Sequence, residues 1–69
     1  MVKKETIISV EKMMERKLDI FKIPAEQRHE KADYHQLRSI AENHGYEVNK
    51  IRFTGEEKIY YCFFKSEQN

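Results

Sequence analysis

The side chains here best suited to metal binding or nucleophilic attack are His29, His35, His44 and Cys62. His29-Glu30 opens like a zinc-protease motif, in which two histidines four residues apart on a helix turn both imidazoles toward one metal. The next histidine is His35, six residues on. His44 follows nine residues later, about 180° around a helix from His35, so the spacing predicts no metal site. Cys62 would need a histidine base within hydrogen-bond reach to act as a nucleophile. It lies instead in the most apolar run of the chain, residues 59–64, where a free cysteine serves as a small core side chain. With only Gly45 and Gly55 available there is no glycine-rich phosphate loop. The expectation is a protein that is not an enzyme and uses no cofactor or metal.

A different chemistry is carried by the last third of the chain. Six rings (Tyr46, Phe53, Tyr60, Tyr61, Phe63 and Phe64) alternate there with Lys50, Arg52, Lys58 and Lys65, in two strand-like runs joined by Thr54-Gly55-Glu56-Glu57. Rings on an open surface stack on bases, while lysine and arginine take phosphates. If Ile59, Tyr61 and Phe63 face a core, Tyr60, Cys62 and Phe64 face away from it, leaving rings beside Lys50 or Lys58. The plainer reading has the second set covered by the chain ends or by another copy of the chain. The polar run 26–31 reads as a solvated loop. Arg28, His29 and Lys31 could also hold a phosphate before the following helix, where Glu30 and Asp33 oppose it.

Size and composition bound both readings. Sixty-nine residues make one domain, residues 1–69 with frayed ends, near the lower limit for a hydrophobic core without disulfides or metal. An aromatic content of 12% with periodic apolar segments argues for a folded chain despite 36% charged residues. The net charge of +1 is small for a protein that embraces a long phosphate backbone, and leaves short single-stranded ligands as the better fit. A single cysteine and the lack of a long apolar run predict a soluble, cytoplasmic protein with no membrane partner.

These groups must be positioned by a few elements. Ile7, Val10, Met14, Leu18 and Phe21 recur at helical spacing, which predicts one helix over 6–21. A short strand at 6–8 with Ser9 capping the helix is the alternative. Pro24 favours an extended Ile23, so a short strand is expected over 20–23, followed by a loop over 24–32. Asp33 as N-cap, Gln36 three residues on and Gly45 as left-handed stop bound a second helix, with Tyr34, Leu37, Ile40, Ala41 and His44 on one face. Residues 46–53 form a strand whose apolar phase switches near Asn49, which a bulge at Asn49-Lys50 would reconcile. Residues 59–64, apolar on both faces, suit a central strand or an edge covered by a partner.

The order of these features from Asp19 to Lys65 resembles the small nucleic-acid-binding domain family named for its Arg-x-x-x-His signature. Ile23-Pro24, Ala41-Glu42-Asn43-His44-Gly45 and residues 59–65 carry the likeness, over about two thirds of the chain. With Ala41 and Gly45 aligned, the arginine and histidine of that signature fall on Tyr34 and Arg38. The stretch from Leu37 to Tyr46 also resembles the recognition helix of a winged-helix domain running into its wing, although only Ala25 and Ala32 would line the inner face of the additional helix that fold requires. Either resemblance implies contact with nucleic acid.

The sequence therefore predicts an α+β domain with two helices packed on one face of a small antiparallel sheet that ends in a β-hairpin. Its expected function is binding single-stranded nucleic acid or a short duplex segment, with Arg38, Lys50, Arg52 and Lys58 on phosphates and Tyr34, Tyr46 and Tyr60 offering rings. The competing expectation is a protein-binding regulator or inhibitor, possible as a homodimer, that uses the hairpin as its protein–protein contact.

Overall fold

The computed structural model describes residues 2–25 and 31–66. The expected frayed ends, and Arg28 and His29 of the proposed phosphate-holding run, lie outside the described residues. The elements run α1 (Lys4–Glu15), β1 (Ile20–Pro24), α2 (Lys31–Asn43), β2 (Tyr46–Phe53) and β3 (Lys58–Lys65). The three strands form an antiparallel sheet in the order β1-β3-β2. The run that is apolar on both faces thus takes the centre, and the C-terminal hairpin is β2–β3. Both helices lie on one face of the sheet. Val10 and Met14 of α1 and Leu37 and Ala41 of α2 share a single core with Ile23, Tyr46, Val48, Tyr61 and Phe63.

The first helix stops earlier than its apolar stripe suggests. Lys17 takes a left-handed conformation with φ 58°, and its N–H and that of Leu18 turn back to the carbonyls of Met14 and Met13, closing the helix as glycine usually does. Leu18 is exposed, and Phe21 belongs to β1, where its ring stacks on Phe63 at 4.8 Å. Pairing with β3 satisfies the backbone of this segment and buries Ile23, a gain that two further turns of an isolated helix would not match. The short strand proposed at 6–8 is helical. A β-carbon in the left-handed region costs on the order of 1 kcal/mol, so Lys17→Gly is expected to raise the melting temperature by about 5 °C. An unchanged or lower value in a calorimetric scan would contradict this account of the helix end.

The second helix begins at Lys31, which puts Asp33 inside the first turn rather than at the N-cap. Its carboxylate still faces the positive end of the helix. Gln36, expected in a capping box, instead accepts the Val2 N–H at 3.2 Å and ties the amino-terminal segment to α2. At the other end Gly45 has φ 75°, and its N–H donates to Glu42, as a left-handed stop requires. His44 is exposed and donates from Nδ1 to the Ile40 carbonyl.

The expected bulge at Asn49-Lys50 is not formed. Pairing runs without interruption from Tyr46 opposite Lys65 to Phe53 opposite Lys58. Tyr46 and Val48 face the helices and are buried, while Ile51 and Phe53 lie on the opposite face. The switch in apolar phase therefore marks where β2 stops contributing to the core and begins to present apolar side chains on the face away from the helices. In the hairpin turn the left-handed residue is Glu57, with φ 53°, and not Gly55.

Candidate nucleic-acid interface

One face of the sheet carries the helices, and the other is left uncovered by them. Strand alternation puts Tyr60, Cys62 and Phe64 of β3 on the uncovered face, flanked by Ile51 and Phe53 of β2 and by Ile20 and Lys22 of β1. Ile20 is 68% exposed and Ile51 41%. Phe53 and Tyr60 meet edge to face, with centroids 5.0 Å apart and planes at 79°. The ammonium of Lys22 sits in the corner between them, 4.4 Å from the Phe53 centroid and 4.5 Å from that of Tyr60. Both distances lie within cation–π range. Lys58 lies directly opposite Phe53 at the hairpin end of the same face. Two cations and two rings thus occupy one end of an open sheet surface.

The Tyr60 hydroxyl donates to a Glu56 carboxylate oxygen at 3.1 Å. This bond, followed by desolvation, raises the phenol pKa above its ordinary value. The Tyr61 phenol is raised as well, mainly by burial and further by the charge of Asp33. Both phenols are therefore protonated at neutral pH. Only the Tyr60 ring is presented to the uncovered face.

The residues singled out from the sequence are divided between surfaces. Lys58 and Tyr60 belong to the uncovered face. Tyr46 does not offer a ring to a ligand: it is 3% exposed, meets Phe21 edge to face, and its hydroxyl donates to the Leu18 carbonyl inside the monomer. Tyr34 is half-buried on α2 and donates to the Val48 carbonyl at 3.2 Å, locking the helix to β2. Arg38, on the same helix, pairs with Glu42 at 3.0 Å in an exposed i,i+4 bridge. Lys50 and Arg52 project to the helix side of β2. Cations on an edge strand also discourage pairing with the edge of another chain, which gives these two a structural reason to be basic.

Of the residues on this face, Phe53 and Phe64 are among the rings noted in the sequence, with Phe64 expected to face away from the core, whereas Lys22 is not singled out there. Lys22 alternates with Phe21 and Ile23, and that alternation alone places it opposite the core. Its reach to Phe53 depends on β3 lying between β1 and β2, an arrangement with no local signal.

No described helix is long and apolar enough to cross a membrane. Comparison of the chain with protein-family models, with curated proteins and with solved structures finds no match.

Proposed function

We propose that this domain acts by binding, not catalysis, and that the uncovered sheet face takes single-stranded nucleic acid. The observation that carries this reading is the gathering of Phe53, Tyr60, Lys22 and Lys58 at one end of that face. Stacking platforms with adjacent cations are the usual means of holding unpaired bases. A flat sheet offers bases in a duplex no such contact, so single strands are preferred. Arg38, Lys50 and Arg52 lie on other surfaces and are left out of the primary contact. The element order shared with the Arg-x-x-x-His family supports the same reading. A cytoplasmic setting belongs to it, since a single buried thiol suits a reducing compartment.

With two lysines engaged, the affinity is modest and its salt dependence shallow, with a log–log slope of about −1.4 for a single strand. Fluorescence anisotropy of a short labelled oligonucleotide, as DNA and as RNA, at two salt concentrations tests this. Single strands should bind more tightly than the matching duplex, with that slope. No binding at low salt, or a preference for duplex, would overturn the proposal.

The exposure of Ile20 and Ile51 favours a second reading, in which the same face contacts a protein or a second copy of the chain. Sedimentation velocity at increasing concentration separates the two. A dimer that buries Tyr60 would compete with the oligonucleotide, whereas a monomer leaves the face open.

A further inference from the structure

Lys22 and Phe53 lie on the two edge strands, with β3 between them. Strands spaced about 4.8 Å apart put these edges roughly 10 Å from each other. To bring its ammonium within 4.4 Å of the Phe53 centroid and 4.5 Å of the Tyr60 centroid, the Lys22 side chain reaches in from β1 to the central strand, where the Phe53 ring comes across to meet Tyr60 at 5.0 Å. The residue paired with Lys22 on that strand is Cys62. Cys62 is only 7% exposed although it lies on the uncovered face. The lysine stem thus runs diagonally from its own pairing position toward Tyr60, with its charge parked on the two rings best placed to stack on a base.

We propose that Lys22 determines specificity by exchange: in the free protein its ammonium fills the ring corner, and in the complex a base takes the corner while the ammonium moves to the adjoining phosphate. This inference rests on the nucleic-acid reading and names the class of ligand more narrowly. A ligand must bring a base and a phosphate close together, because a base alone displaces the cation without giving it a new partner. Nucleotides within a strand are therefore selected over nucleosides and over apolar peptides.

Lys22→Met keeps an unbranched stem and removes the charge. Compared with wild type in the anisotropy titration, Lys22→Met should bind the single strand several-fold more weakly at low salt, with the slope reduced by about 0.7 for one lost phosphate contact. At high salt, where that contact is screened, it should bind about threefold more tightly, because the rings no longer hold a cation. The two salt plots cross. Parallel plots, or a Lys22→Met protein weaker at every salt concentration, would overturn the exchange while leaving the nucleic-acid reading intact. Failure of the wild-type protein to bind would overturn both.

A further readout follows the ammonium itself. The ε-methylene protons of Lys22 should be displaced upfield by the rings in the free protein and return toward ordinary lysine positions on saturation with oligonucleotide, but not with adenosine. Persistence of the upfield shift in the saturated complex would overturn the proposal.

Discussion

Phe63→Ala is expected to abolish cooperative folding at 25 °C. Phe63 is fully buried at the centre of the middle strand, stacks on Phe21 with planes 5° apart, and pairs with Val48 on the other side. Truncating a core phenylalanine costs about 3–5 kcal/mol, part of it as the cavity that the surroundings fail to fill. A single core of this size supplies on the order of 3–5 kcal/mol in total. The loss therefore matches the whole margin. Urea titration followed by circular dichroism should give a sigmoidal transition for wild type and none for the variant. A variant transition close to that of wild type would show that the Phe21–Phe63 stack does not organise the core.

Tyr60→Ala is expected to separate binding from folding. The ring is half-buried on the uncovered face, and in the monomer it contacts chiefly Phe53 and the Lys22 ammonium. Losing the edge-to-face contact costs about 1 kcal/mol, which leaves the domain folded. Losing a stacking platform costs about 1–3 kcal/mol per base, so affinity for single strands should fall roughly tenfold or more. Tyr60→Phe keeps the ring and removes a hydroxyl that points to Glu56. It should bind within about twofold of wild type, since an exposed hydrogen bond of this kind adds little to the fold and nothing to the stack. Equal affinity for wild type and Tyr60→Ala would remove the ring from the interface.

The parts of the fold legible in the chain were those signalled by local chemistry. Gly45 stops α2 because glycine enters the left-handed region without cost. The run 59–64 lacks a polar face, as suits a central strand or a covered edge, and it takes the centre of the sheet. Where a local pattern had two physical origins, the sequence reading chose the wrong one. Phe21 continues the helical stripe of α1 and equally suits a strand packed on Phe63; only the left-handed Lys17, a residue with no preference for that conformation, decides between them. The apolar phase of β2 switches because Tyr46 and Val48 pack under the helices while Ile51 and Phe53 lie on the uncovered face, and a bulge is the other way to write the same pattern.

The site was less legible than the fold. Alternation along β3 places Tyr60 and Lys58 opposite the core, and both lie on the uncovered face. Tyr46 was misassigned because a tyrosine flanked by polar residues resembles a surface ring until its hydroxyl is seen to find the Leu18 carbonyl. Lys22 was missed because its contacts lie across two strand pairings that are remote in sequence.

The uncovered sheet face is the proposed surface for a single strand. Amide and side-chain chemical-shift mapping during titration with a short single-stranded oligonucleotide tests that directly. The expected result is perturbation concentrated at Lys22, Phe53, Lys58, Tyr60 and Phe64, with Ile7, Leu37 and Ala41 unmoved. Perturbation confined to α1 and α2, or none at saturating oligonucleotide, would contradict it.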